Sequence, residues 1–266
     1  MRHSGWILGL LLLPLLAAPV ALAAGEEGQT QAAPQAQAPD IAPEAAGSMA
    51  AMCGYLKSLA SFRFTAEVET DQLYPNGQTI QVSRTATVSV KRPDKAYSHV
   101  VGDDRDRVLV YDGKTVTIAD LDRGVYAVAD APPTLDATID MLSEKYGLSA
   151  PLGDLLYADP CAAMLENVRT GDCVGTHQTM GKACDHLAFT QKNADWQMWV
   201  EKGKAPVPRK LVINDKELMG WPQYQVTFTD WEANPRLQAG LFTFKPLEGM
   251  RRIEFLPMVE TSDKAK

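Results

Sequence analysis

Histidine is scarce in this chain, four in 266 residues, and the motifs that give histidine or cysteine a chemical role are missing. There is no C-x-x-C and no H-E-x-x-H, so neither a zinc ribbon nor a metalloprotease helix is encoded. Cys184-x-His186 with His177 nearby lacks a fourth ligand, so ordinary strand residues, not a metal centre, are expected there. No G-x-S-x-G elbow provides a serine nucleophile. Gly175 to Lys182, GTHQTMGK, departs from a phosphate loop: five residues separate the glycines, and Ala183 stands where a hydroxyl should bind magnesium. Gly102 to Arg107, GDDRDR, lacks the acid spacing of a calcium loop and carries two arginines, so it reads as a solvated turn. A basic excess is absent too. Lys and Arg number 26 against 33 Asp and Glu, a net charge of −7, which excludes a nucleic-acid stripe. No cofactor is implied.

What is present begins with a targeting pattern. Arg2 and His3 give a short basic start, Trp6 to Leu16 an apolar run, and Ala21-Leu22-Ala23 an A-x-A site, so residues 1–23 read as a Sec-type signal peptide. The run is shorter than the roughly 20 residues of a bilayer-spanning helix, and no second one follows, so the mature chain is expected to be exported without a transmembrane segment. The first cysteine, Cys53, lies well past the cleavage site, which argues against a lipid anchor. Residues 24–47 are rich in Ala, Gln and Pro, with Ile41 the only large aliphatic side chain, and are expected to be a disordered leader. One domain over 48–258 and a disordered tail over 259–266 complete the division.

From Ser48, a plausible N-cap, Met49, Met52, Leu56 and Leu59 recur at three- and four-residue spacing and predict a short helix ending near Ala60. Six strands follow in a meander. The first runs through Phe62, Phe64, Ala66 and Val68, the second through Ile80, Val82, Ala86, Val88 and Val90, with turns at Pro75-Asn76-Gly77, Asp112-Gly113 and Asp122-Arg123-Gly124. Arg84 falls on the apolar side of the second strand, either snorkelling to a sheet margin or anchoring a polar group inside an apolar cavity. After Pro132-Pro133-Thr134, three helical stretches are predicted: Leu135 to Tyr146, one marked by Leu152, Leu155 and Leu156, and Ala162 to Asn167.

A second strand set follows, with strands at Asp185 to Gln191, Trp196 to Glu201, Arg209 to Asn214 and Gln223 to Thr229, each apolar on alternate residues. Arg252 to Leu256 offers an edge strand. Helices interrupt the strands instead of alternating with them, so the class is α+β with an antiparallel sheet. Aromatic residues crowd this second set, including Phe189, Trp196, Trp199, Trp221, Tyr224, Phe228 and Trp231. They either pack under the helices as core or leave part of a sheet face as a lipid-sized cavity.

Four cysteines in an exported chain, Cys53, Cys161, Cys173 and Cys184, allow three pairings. With a turn at Met180-Gly181, Cys173 falls opposite Ala188 and Cys184 opposite His177, too far apart to bridge unless a bulge or longer turn intervenes. Free, buried thiols are the other outcome.

Asp112-Gly113-Lys114-Thr115, Pro151 to Tyr157 (PLGDLLY), Asp185 to Phe189 (DHLAF), Asp195 to Trp199 (DWQMW), Pro208 to Ile213 (PRKLVI) and Ile253 to Pro257 (IEFLP) resemble, in that order, the predicted periplasmic proteins grouped as domain of unknown function 2092. That family is similar in fold to the LolA/LolB outer-membrane lipoprotein carrier superfamily. The resemblance implies a periplasmic address and a curved antiparallel half-barrel with helices on its concave face. It supplies no catalytic site. The function expected is a non-enzymatic periplasmic protein holding a lipid, an acyl chain or the lipid moiety of a lipoprotein. A protein-interaction or envelope-stress-sensing module with an envelope protein partner is the rival, and an envelope hydrolase ranks last. The expected ligand-binding residues are Phe64, Val82, Val88, Phe189, Trp196, Met198, Ile213 and Phe228, with Arg84 as polar contact.

Overall fold

The computed structural model describes residues 38–148 and 152–258. The expected signal peptide, residues 24–37 of the expected leader, Pro151 and the expected tail lie outside the described residues.

The first meander comprises β2 (Ser61–Leu73), β3 (Thr79–Lys91), β4 (Lys95–Gly102), β5 (Arg105–Tyr111), β6 (Thr115–Asp120) and β7 (Val125–Asp130). The second comprises β8 (Thr170–Thr179), β9 (Lys182–Thr190), β10 (Ala194–Glu201), β11 (Pro208–Asp215) and β12 (Gln223–Ala233). β12 pairs antiparallel with β2, placing Val226 opposite Val68 and Phe228 opposite Ala66, so the two meanders make one sheet. Two short strands finish the edges, both in parallel: β1 (Asp40–Ile41) on β8, and β13 (Arg251–Ile253) on β7. Among the described residues β1 and β13 do not pair with each other, and the sheet stays open.

Between β7 and β8 come α2 (Leu135–Tyr146), a 3-10 turn at Gly153–Leu156 and α3 (Pro160–Leu165). β7 and β8 lie near opposite ends of the strand order, so this helical connection has to run from one side of the sheet to the other. α2 spans the predicted residues, because Thr134 caps it by accepting from the Ala137 amide and Gly147 ends it at φ 65°. α3 starts two residues earlier than the pattern gave, since Asp159 caps it and Pro160 opens it.

The first helix, α1 (Pro43–Ser58), corrects the sequence reading. It begins five residues ahead of Ser48, with a proline in its first turn and no side-chain cap. Ala45 extends the buried stripe one turn upstream of Met49, and Ile41 packs against the same core. Residues 38–47 therefore belong to the fold. Composition had set them with the leader because small alanines carry little apolar weight, yet Ala45 is fully buried where the helix meets the sheet.

One core cluster joins Met49, Met52 and Leu56 of α1 to Phe62, Phe64, Leu187, Met198, Val226 and Phe228 of the sheet. Strand alternation delivers these to one face. The hairpin of β2 and β3 outruns this cover, so Ile80 is exposed and Val82 half-buried although both lie in the apolar row. Cys53 of α1 and Cys161 of α3 form a disulfide. Cys173 and Cys184 are free. The hairpin turns at Met180-Gly181 and sets Cys184 opposite His177 as expected, but a bulge between Cys173 and Gly175 moves Cys173 to Leu187 instead of Ala188.

Candidate functional site

β2 to β5 carry alternate apolar residues toward α2, and the stripe Leu135, Ile139 and Leu142 of α2 faces back. Between them the packing is incomplete. A cavity of about 280 Å³ remains, bounded by Phe64, Ala86 and Val88 on the sheet, by Ile139 and Leu142 on α2, and by Leu156 at the end of the 3-10 turn. At its polar end stand Arg84, Arg105 and Tyr224.

The polar groups there are largely spent on one another. Arg84 is 8% exposed; its Nε donates to Asp104 Oδ1 at 2.6 Å, its Nη2 to Oδ2 at 2.7 Å and its Nη1 to Thr70 Oγ1 at 3.0 Å. Arg105 donates to the same carboxylate. The Arg84 fork, and then Arg105, hold the Asp104 carboxyl well below the ordinary carboxylate range, and Asp104 in turn raises the Arg84 pKa. The turn 102–107 is thus more than a solvated tip. Arg84, buried on the apolar side of β3, draws Asp104 inward, because a buried cation without a counter-ion is costly. Gly102 lies opposite Arg84 and makes room for this: a Cβ there would stand 2.6 Å from the Arg84 Cα.

Burial pushes the Tyr224 hydroxyl up to about 12, so it stays protonated at any physiological pH. Tyr111 donates to the Pro132 carbonyl at 2.6 Å, and the buried Thr138 hydroxyl to the Thr134 carbonyl at 2.9 Å. What the cavity offers is apolar surface.

Family comparison matches the model described as predicted periplasmic protein (DUF2092) to residues 45–256. The chain belongs to this family. Its address is the periplasm. No curated protein matches the sequence of this DUF2092 member.

Solved structures do show a likeness. An uncharacterized conserved protein from Thermus thermophilus is 10% identical at a TM-score of 0.48, covering 79% of this chain and 99% of that one. A LolA superfamily protein from Nitrosomonas europaea is 11% identical at a TM-score of 0.38, covering 75% and 97%. The Pseudomonas aeruginosa MucA/MucB complex is 14% identical at 0.41, covering 74% of this chain and 60% of that one. At these values the likeness says nothing of a ligand.

Of the nine expected ligand-binding residues, Phe64, Arg84 and Val88 line the cavity. Phe189, Trp196, Met198 and Phe228 sit in the solid core, with Phe189 stacked on Trp196 at 4.1 Å between centroids. Ile213 packs against that core half-buried, and Val82 lies toward the hairpin end. All share one face, but α1 and its packing fill the space in front of β9 to β12. The lining residues Ile139, Leu142, Leu156 and Tyr224 were missed as a site. The α2 stripe was visible as periodicity, but nothing in one sequence distinguishes a helix facing a void from one facing a full core.

Among the described residues no helix is long and apolar enough to cross a membrane, and no group of three or more His, Cys, Asp or Glu side chains is placed to hold a metal.

Proposed function

We propose that this periplasmic protein is a non-enzymatic binding protein that takes a hydrocarbon chain of a lipid, or of a lipoprotein's lipid moiety, into the space between β2–β5 and α2, on the concave side of a curved sheet. The observation that carries this is an apolar cavity whose buried arginine is already neutralised by Asp104. Its volume of about 280 Å³ lies just under the usual range for ligand pockets, roughly 300–1,000 Å³. At roughly 30 Å³ per small group it has room for on the order of nine methylene-sized units. These would contribute about 7 kcal/mol at about 0.8 kcal/mol each, before ordering costs, which is affinity near 10 μM. The acyl chain is held and its head group stays outside, because the cavity presents no unpaired cation.

Native mass spectrometry of protein purified from its own envelope, with titration of a fluorescent fatty acid, tests this. Lipid adducts and saturable uptake are expected. Protein that carries no lipid and takes up none defeats the reading.

A protein-binding role is the second reading, favoured by the loop between β11 and β12, where Leu218, Met219 and Trp221 are exposed by 51%, 83% and 56%. Cross-linking in cells to one partner, by protein that takes up no lipid, supports it; its absence counts against it.

A further inference from the structure

On the sheet face opposite the core, we propose that His177 and His186 form a two-imidazole site for a divalent copper ion, completed by water. The rings come from neighbouring strands at diagonal positions, His186 opposite Gly175 and His177 opposite Cys184. Gly175, beside the β-bulge and at φ 139°, lies next to the His177 ring, whose Nε2 would be in ordinary contact, 3.9 Å, with a Cβ there. The two Nδ1 atoms come within 2.9 Å of each other.

That separation is a hydrogen bond, and a modest turn of the exposed His177 ring brings both lone pairs onto one ion. Imidazole donors with open positions hold Cu(II) most tightly among the divalent first-row ions, so two of them completed by water suit Cu(II) before Zn(II). With no ion, one Nδ1 donates to the other. Binding requires the His177 proton to move from Nδ1 to Nε2, leaving a lone pair on each Nδ1 and no change in total protonation.

His186 is fixed for this role. It is 9% exposed, its ring stacks on Trp199 at 3.9 Å and 13°, and its Nε2 faces Gln197 Oε1 at 2.9 Å. An Nε2–H donated to Gln197 places the lone pair on Nδ1, the orientation that carbonyl partners give to metal-bound histidines. His177 is exposed; its ring is free to swing the short way to a shared apex, and solvent reaches the remaining coordination positions.

Trp199 makes the site report on itself, since a copper ion on the stacked His186 quenches its fluorescence. Untagged protein lacking residues 1–23, which removes the copper-chelating Met1-Arg2-His3 terminus, is titrated with copper sulfate at pH 7.5 and followed by tryptophan emission and electron paramagnetic resonance. A single equivalent is expected to bind with quenching and a tetragonal spectrum split by two nitrogens. His177→Ala should weaken binding more than about tenfold, and Gln197→Ala about tenfold; Trp199→Phe should keep the spectrum and lose most of the quenching, and His99→Gln should bind as the parent does. His177 is exposed, so its variant carries the test even if a His186 variant unfolds. Parent protein that binds no copper below about 100 μM, or His177→Ala protein that binds it as tightly, overturns the proposal.

Discussion

Arg84 and Asp104 meet edge to edge, Nε on Oδ1 and Nη2 on Oδ2, with the arginine side chain 7% exposed and the carboxylate 27%. The pair closes the polar end of the cavity. Removing only the acid leaves a guanidinium in the apolar row of β3. Asp104→Asn should therefore cost about 3 kcal/mol, at the lower end for breaking a buried pair because Asp104 is partly wet. Urea unfolding measures it; a change under about 0.5 kcal/mol would mean that Arg84 escapes to solvent.

The same pair gives an acid limb to stability. The Asp104 pKa is depressed in the folded state, so its contribution is present above the unfolded value, about 3.9, and is lost as pH falls through the folded one. His186 gives a second limb. Burial first, then His177 and Lys210, lower its pKa, although its hydrogen bond to Gln197 acts the other way, so the folded state prefers neutral imidazole. Its contribution is complete above the unfolded value of about 6.5 and declines as pH drops below it. Thermal melts should show His186→Gln flattening the slope between about pH 7 and 5 without touching the lower limb, and Asp104→Asn the reverse.

Filling the cavity separates binding from folding. Ile139→Trp places a large ring from the half-buried face of α2 into the void. Fluorescent fatty-acid uptake should fall by about tenfold or more, the equivalent of about 1.4 kcal/mol, while the melting temperature stays close to the parent's. Met198→Leu, a change of shape in the solid core, should leave uptake alone.

Cys53–Cys161 closes a loop with a sequence separation of 108. A loop of that size corresponds to about 4.7 kcal/mol in the chain-entropy account, with measured losses of about 2–5. Replacing both by alanine should lower stability within that range. A thiol count on denatured, unreduced protein should find two free thiols, Cys173 and Cys184, and all four after reduction; four without reduction refutes the bridge.

At Gly102 the Cβ of an alanine would stand 2.2 Å from the Ser83 carbonyl oxygen. Gly102→Ala should therefore destabilise by about 1–3 kcal/mol and loosen Arg84 from Asp104, seen as loss of the Asp104 acid limb in the same melts.

The alternating rows of β2, β3 and β9 to β12, the two-residue turn at Met180-Gly181, the α2 span and the edge strand near Arg252 were all legible in the residues, because period and turn chemistry are local. Leu187, Phe189, Met198 and Phe228 were placed on the right face for that reason. What covers a face is not local. Packing of α1 closes the half of the sheet around Phe189 and Trp196, while α2 stands off Phe64 and Val88 and leaves a void; strand parity is the same in both halves. The start of α1 at Pro43, the pairing of Cys53 with Cys161 across distant helices, and the turning of Asp104 onto Arg84 likewise arise from contacts between segments far apart in the chain. Sequence fixes which side of a strand is apolar, and only the assembled fold determines whether that side meets another side chain or empty space.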